Sequence, residues 1–217
     1  MAEFNLEIKH RKAIFGFYIS LITNIIFLIL ISLSHYYAII HGYEWWDLEL
    51  SELVYFGSLS EIFFMTGVVI NSIGLLFVLV PLTKFFQKRI LKIIYVSLIL
   101  SVCGTLFLLG AVTERLFPTT HYIFGAAFFF VTSILIIFIS VYIIKNLKEI
   151  SKIYPIFGFI TFGLLVFHLA TRWFFGMAYT QRLAVLFSMI YLLLIGRKLL
   201  LNKDIIIEKQ MTEENKF

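Results

Sequence analysis

Six apolar stretches, each about twenty residues or longer, constrain the fold of this chain more than any other feature. They cover residues 14–36, 61–83, 91–113, 121–144, 155–175 and 180–201. The hydrocarbon core of a bilayer is about 30 Å thick, and a helix needs about 20 apolar residues to cross it. Barrel strands are much shorter and alternate between apolar and polar residues, which these stretches do not. The sequence therefore predicts an all-α integral membrane protein, a compact bundle of six transmembrane helices.

The composition agrees with membrane insertion and excludes an ordinary soluble domain. Of 217 residues, 61% are hydrophobic and 14% are charged, whereas a soluble domain is about half apolar and about a quarter charged. Cys103 is the single cysteine, which rules out an internal disulfide and a CxxC metal site. We expect a cytoplasmic N-terminal segment at 1–13, the transmembrane domain at 14–201 and a cytoplasmic tail at 202–217.

The basic residues are distributed unevenly between the two ends of the predicted helices. Fifteen of the eighteen Lys and Arg residues lie before the first helix, after the last helix, or in the second and fourth connections. Only Arg115, Arg172 and Arg182 fall at the opposite end. Because basic connections stay in the cytoplasm, both termini are predicted to be cytoplasmic, in a multi-pass protein of the plasma membrane. The net charge of +5 is thus a topology signal and does not predict nucleic-acid binding.

The stretch from Gly104 to Phe130 holds the densest ionisable chemistry next to the predicted hydrocarbon. Two apolar runs meet there across a short corner that carries Glu114, Arg115, Pro118 and His121. The predicted orientation places this corner outside. Ionisable residues so close to a span are costly, and by default they mark a site that faces the bundle interior or water.

Further polar groups fall at the same predicted outer end. His168 and Arg172 are four residues apart and share one face of the fifth helix. Arg182 lies near the start of the sixth helix. The first outer connection, 37–60, is acidic and aromatic, which predicts a short segment lying at the membrane interface.

Two local patterns concern the second helix. Ser58-Leu59-Ser60-Glu61 predicts a capping box, in which Glu61 reaches back to the first turn. Gly67, Asn71 and Gly74 fall on one helical face, a small and polar stripe that predicts close contact with another helix.

Three blocks of the sequence carry a family resemblance. They are Leu50-Ser51-Glu52-Leu53 continuing to Ile62–Asn71, then Gly110–His121 with Phe128-Phe129, and finally Thr180-Gln181-Arg182. Together they cover most of residues 45–200 and resemble domain-of-unknown-function family 998, a family of multi-pass prokaryotic membrane proteins. The resemblance implies a prokaryotic membrane protein and no particular activity, since the activity of that family is unassigned. The family often carries an acid at the position of Gln181.

Two interpretations of the outer polar residues are open. In the first, the three outer arginines clamp an anion in an outward-facing pocket, because guanidinium forks suit phosphate and carboxylate groups. The acid and histidine of the corner and the histidine of the fifth helix would then supply proton transfer or metal ligation. In the second, the corner residues neutralise one another, the other arginines reach lipid headgroups, and the histidine of the fifth helix hydrogen-bonds a neighbouring helix. The predicted ligand-binding residues are Glu114, Arg115, His121, His168, Arg172 and Arg182.

The histidines give a weak metal signal. No HExxH or HxxxH spacing is present, and a zinc hydrolase needs three or four ligands brought together. A b-type haem needs two histidines at matching depth, but only His168 lies well inside a span. We therefore predict no cofactor and no bound metal.

The predicted function is binding of a lipid or another anionic ligand, or of a partner protein, in an outward-facing polar pocket. The alternative is a membrane-embedded enzyme, such as a metal-dependent hydrolase, or a carrier that acts on a lipid-like substrate at the outer leaflet. The expected partners are the lipid bilayer, a bound lipid or small anion, and a membrane protein or second copy of the chain. The inner halves of the spans are almost wholly apolar, which argues against a continuous ion path.

Overall fold

The computed structural model describes residues 2–44, 49–175 and 179–201. These residues form six long helices and two short 3₁₀ helices, with no β-strand among them. The long helices are α1 (Ala2–Ile39), α2 (Ser58–Leu79), α3 (Arg89–Ala111), α4 (Pro118–Asn146), α5 (Ile153–Phe175) and α6 (Tyr179–Leu201). The 3₁₀ helices are Ser51–Tyr55 and Val80–Phe85. All six long helices are apolar enough to cross a membrane, which confirms the predicted fold class.

The ends of the membrane-crossing segments lie within a few residues of those of the predicted apolar stretches. They are Arg11–Ile39, Ser58–Phe85, Arg89–Ala111, Pro118–Asn146, Ile153–Arg172 and Tyr179–Leu200. Because α1 begins at Ala2, most of the N-terminal segment predicted at 1–13 is continuous with the first helix. The predicted tail at 202–217 and residues 45–48 of the acidic connection lie outside the described residues.

The six helices form an antiparallel ring in chain order. Each helix packs against the next one, and α6 closes the ring against α1. The antiparallel direction of α1 and α2 follows from contacts at both ends of the pair. The Ser34 hydroxyl donates to the carbonyl oxygen of Ser60 at 2.8 Å, and at the other end Gly16 lies against the carbonyl oxygen of Phe77. Both ends of the described chain therefore emerge at the same end of the ring.

The predicted stripe on α2 is a close contact with α1. A Cβ atom added to Gly74 would lie 1.8 Å from Oγ1 of Thr23, and one added to Gly67 would lie 3.3 Å from Cβ of Leu30. Only glycine allows the two backbones to approach this closely at the level of Gly74. Asn71 lies between the two glycines on the same stripe and is buried.

A second close approach joins α2 to α6 near the end where the chain termini emerge. A Cβ atom added to Gly196 would lie 2.2 Å from Cγ2 of Val78. These two helices are not neighbours in the ring, so their contact narrows the ring at this end. We call this contact the floor.

The predicted capping box at the start of α2 is wrong. The residue before the helix is Gly57, with φ of 111°, and no side chain caps the first turn. The backbone N–H of Glu61 donates to the carbonyl oxygen of Gly57 at 3.1 Å. The Glu61 carboxylate instead accepts a hydrogen bond from the Thr113 hydroxyl at 2.5 Å, across the connection between α3 and α4. Glu61 thus bonds to a residue distant in sequence, Thr113, and not to the first turn of its own helix as the pattern predicts.

Large apolar side chains cover the outside of the ring. Phe15, Ile90 and Phe130 are among the most exposed of them. In water such a surface would be strongly unfavourable, whereas in a bilayer it contacts lipid chains. The lipid bilayer is therefore the surrounding that this fold requires.

Candidate functional site: a cavity at the centre of the ring

A cavity of about 100 Å³ lies at the centre of the ring, and all six long helices contribute to its wall. α4 lines it from His121 to Thr132, α2 from Phe64 to Leu75, and α6 from Gln181 to Leu192. Each interval covers twelve residues, so its end residues are eleven steps apart, which is about 16 Å at a helical rise of about 1.5 Å per residue. The cavity therefore extends over about half of the thickness of a bilayer's hydrocarbon core.

One end of the cavity is polar, and we call it the mouth. It is formed by Glu49, Ser51, Glu114, His121 and Arg172. These residues come from the loop before the first 3₁₀ helix, from the α3–α4 connection and from helix ends, so they lie at the end of the ring opposite the floor. Below the mouth, most of the wall is apolar, with Phe64, Val68, Leu75, Phe128 and Leu192 among its residues.

An ion pair crosses the mouth between Glu49 and Arg172. The carboxylate oxygen Oε1 lies 2.7 Å from Nε of Arg172, and the Glu49 side chain is only 9% exposed. Burial raises the pKa of Glu49 to about 7, because desolvation disfavours the charged carboxylate. Arg172 opposes that rise, whereas the negative charges of Glu52 and Glu114 add to it. Glu49 is therefore close to half protonated at neutral pH.

A second acid of the mouth faces a histidine. Nε2 of His121 lies 3.7 Å from Oε2 of Glu114, which is too long for a hydrogen bond. Both atoms are buried and have no hydrogen-bond partner. Nδ1 of His121 lies 2.7 Å from the carbonyl oxygen of Val112, and since a carbonyl only accepts, Nδ1 carries the proton of the neutral ring. Nε2 is then the basic nitrogen that faces the acid, and burial raises the pKa of Glu114.

The loop above the mouth is fastened to α6. The backbone N–H of Leu50 donates to Oε1 of Gln181 at 2.6 Å. The Tyr43 hydroxyl donates to the carbonyl oxygen of Glu49 at 3.1 Å and accepts from the guanidinium of Arg182. Burial raises the pKa of Tyr43 to about 12, so its hydroxyl stays protonated at neutral pH. These bonds hold Glu49 in place over the cavity.

His168 is buried inside the ring and joins two helices. Its Nδ1 lies 2.9 Å from the Thr180 hydroxyl on α6, which in turn lies 3.2 Å from the Thr171 hydroxyl. The ring of Phe129 packs edge-on against the imidazole, with 4.5 Å between the centroids. His168 lines the cavity. It also hydrogen-bonds a neighbouring helix, as the second of the two interpretations of the sequence predicts.

Arg115 and Arg182 lie outside the cavity wall. The Arg115 side chain is 60% exposed, and its Nη1 lies 3.9 Å from the Glu61 carboxylate. Arg182 packs over the ring of Tyr43, with 5.9 Å from its guanidinium carbon to the ring centroid. Of the three outer arginines, only Arg172 lines the cavity. Its guanidinium is already in an ion pair with the Glu49 carboxylate.

The structure thus brings together Glu114, His121, His168 and Arg172 in one wall. Sequence reasoning did not select Glu49, although it lies in the acidic connection that predicted an interfacial segment. Asn71 and Thr132 also line the cavity at depth. Asn71 was predicted only as part of a packing stripe, and Thr132 carries no signal within its apolar run.

No group of three or more His, Cys, Asp or Glu side chains in the described part of the chain is placed to hold a metal ion. The chain matches no protein-family model, no curated protein and no solved structure. Its resemblance to domain-of-unknown-function family 998 stays a prediction.

Proposed function

We propose that this protein binds a single-chain, lipid-like amphiphile in the central cavity, with the head group at the mouth and the chain along the apolar wall. One observation carries the proposal: the cavity is polar at one end, mostly apolar below it, and enclosed by all six helices. Ligand sites commonly combine an apolar lining with a few polar groups that fix orientation. A volume of about 100 Å³ spread over a depth of about 16 Å suits one chain better than two.

An uncharged head group fits the mouth better than a compact anion does. The guanidinium of Arg172 is paired with Glu49, and Glu114 adds a second carboxyl group. The other two outer arginines lie away from the wall. The facing atoms of His121 and Glu114 can both accept hydrogen bonds, so a hydroxyl-bearing head group supplies the donors that they lack.

The proposal places the mouth at the outer face of the membrane, because the basic residues cluster at the other end of the ring. The amphiphile would then come from the outer leaflet. Labelling of single introduced cysteines in intact cells tests this orientation, with one at Lys148 and one at Arg115. Only the cysteine at position 115 should react with an impermeant thiol reagent.

Binding is tested by native mass spectrometry of the purified full-length chain with two added lipids. A monoacylglycerol has a hydroxyl-bearing neutral head, and a lysophosphatidic acid of the same chain has an anionic one. We expect the monoacylglycerol to be retained about tenfold better. Stronger retention of the phosphate lipid would instead favour the anion-clamp interpretation, and retention of neither would overturn the proposal.

A pair of glycine variants locates the binding. Gly125 lines the cavity, and a Cβ atom there would meet only Cδ1 of Leu109, at 3.7 Å. Gly125→Leu should fill the cavity and abolish retention. Gly104 is exposed on α3 and has no atom within 4 Å of an added Cβ, so Gly104→Leu is the matched control and should bind normally.

The second candidate function is acid–base catalysis on the bound amphiphile. It is favoured by the unpartnered atoms of Glu114 and His121, which face each other at 3.7 Å in the mouth. A positioned acid and a basic imidazole are the groups that hydrolysis of an ester requires. Incubation with a monoacylglycerol should then release fatty acid and glycerol, and Glu114→Gln should stop release while binding persists. Intact lipid after long incubation with the unaltered protein would exclude this candidate.

A further inference from the structure

The deep part of the cavity contains two polar side chains with unpartnered oxygens. Asn71 projects from α2 and Thr132 from α4, and both line the cavity. The two residues are 4% and 1% exposed, respectively. Neither Oδ1 of Asn71 nor Oγ1 of Thr132 has a hydrogen-bond partner within the protein. A buried polar atom left without a partner destabilises the folded state.

The two side chains lie at the same depth. Asn71 is thirteen residues from the start of α2, and Thr132 is fourteen residues from the start of α4. Both helices start at the mouth end, and each side chain lies about 20 Å from the start of its helix at a rise of about 1.5 Å per residue. Thr132 is the last α4 residue of the cavity wall. The surroundings at this level are apolar, with Phe128, Leu75 and Leu192 in the wall.

Neighbouring buried serine hydroxyls, unlike the Thr132 hydroxyl, have hydrogen-bond partners within their own helices. Ser133, the next residue on α4, donates to the carbonyl oxygen of Phe129 at 2.7 Å. Ser188 on α6 donates to the carbonyl oxygen of Ala184 at 2.7 Å. Buried serine and threonine hydroxyls in a membrane helix usually satisfy themselves in this way. The Thr132 oxygen has no such bond although it lies in the same helix as Ser133.

We infer that the cavity recognises an amphiphile whose chain carries a hydroxyl group, held between Asn71 and Thr132. A hydroxyl donates one hydrogen bond and accepts others, so it can donate to Oδ1 of Asn71 and accept from the Thr132 hydroxyl. A plain hydrocarbon chain would leave both oxygens unsatisfied in the membrane interior. This inference rests on the proposed function, and it names the class of chain that the same cavity selects.

The test is a competition between two monoacylglycerols that differ only by a mid-chain hydroxyl. Equal amounts are added to the purified full-length chain, and native mass spectrometry gives the ratio of the two bound forms. We expect the unaltered protein to retain the hydroxylated lipid about tenfold more than the plain lipid, as one buried hydrogen bond implies. Thr132→Val, which is nearly isosteric, and Asn71→Leu should each bring the ratio close to one.

Ser133→Ala is the matched control, because it removes a hydroxyl from the same helix at the same depth but outside the cavity wall. It should keep the preference for the hydroxylated lipid. Equal retention of the two lipids by the unaltered protein would overturn the inference and leave the proposed function standing. That result is also expected if water alone satisfies the two side chains. Retention of neither lipid would overturn the proposed function and this inference together.

Discussion

The carboxylate of Glu49 lies 2.7 Å from Nε of Arg172, and this pair joins the loop above the cavity to the end of α5. The pair also sits among further charges, since Glu52, Glu114 and Arg182 all influence the carboxyl group. Desolvation outweighs the attraction of Arg172, so the pKa of Glu49 rises to about 7 from an ordinary value of 4.5. The charge on the Glu49 carboxyl, and with it the net charge of the mouth, therefore changes within the physiological pH range.

The contribution of Glu49 to protein stability should fall as the pH rises through its folded pKa of about 7. Between its ordinary pKa of 4.5 and its folded pKa of about 7, Glu49 binds more protons in the folded protein than in the unfolded one. Stability decreases with pH wherever the folded state holds more protons. Thermal unfolding in detergent measures this contribution as the stability of the unaltered protein minus that of Glu49→Gln, and this difference should decrease between pH 6 and 8. Burial also raises the pKa of Glu114, so Glu49→Gln should keep a pH dependence of its own.

Glu149→Gln is the control for this experiment, because Glu149 is exposed in the α4–α5 connection and far from the mouth. It should leave the pH dependence as it is in the unaltered protein. A stability difference between the unaltered protein and Glu49→Gln that does not change between pH 6 and 8 would contradict the charge state assigned to Glu49.

Arg172→Gln should destabilise the protein far more than Arg115→Gln. Loss of Arg172 leaves the buried Glu49 carboxyl without its cation, a change that typically costs about 1–3 kcal/mol. Arg115 is 60% exposed and 3.9 Å from its acid, and surface pairs of this kind contribute at most about 1 kcal/mol. Thermal unfolding of the two variants at the same pH measures the difference. Equal effects would show that the Glu49–Arg172 pair contributes no more than a surface pair.

Gly196→Ala should destabilise the protein, and Val78→Ala should rescue it. The added Cβ would lie 2.2 Å from Cγ2 of Val78, but 3.8 Å from Cβ of the same residue. Overpacking of this kind costs about 1–3 kcal/mol. Removal of the two methyl groups of Val78 clears the space, so the double variant should be more stable than Gly196→Ala alone. Additive losses in this double-mutant cycle would contradict direct contact at the floor.

Asn71→Leu should stabilise the protein when no ligand is bound. The substitution replaces a buried side chain with an unpartnered oxygen by an apolar one, which removes a cost of about 1 kcal/mol. The free cavity volume beside Asn71 accommodates the larger side chain. Thermal unfolding after delipidation measures the change. A clear loss of stability would show that Asn71 holds the ring together through contacts beyond those seen here.

The sequence predicts the helices well because hydrophobic length alone decides them. Each apolar run of about twenty residues becomes a membrane-crossing helix, and the structure shifts their ends by only a few residues. The residues near the mouth are also partly predictable, since His121 and Arg172 fall at helix ends where ionisable groups are unusual.

For residues at the same level of the membrane, the sequence does not show which side chains face the cavity and which face outward. That depends on how each helix is rotated about its own axis. Arg115 and Arg172 are both arginines at the same end of the ring, yet one is exposed and the other lines the cavity. Glu49 and Arg172 are far apart in sequence, and no local pattern records their pairing. Thr132 lies in an apolar run of α4, and only the packing of six helices shows that its hydroxyl faces a cavity.

In the part of the chain that the structure describes, the ionisable residues of the cavity wall lie mainly at the mouth, and the floor lies at the opposite end of the ring. Val78 and Gly196 bring α2 and α6 into contact where a channel would need an opening. A molecule that enters through the mouth must leave by the same route or slip sideways between helices into the bilayer. Traffic from one side of the membrane to the other would require α2 and α6 to separate.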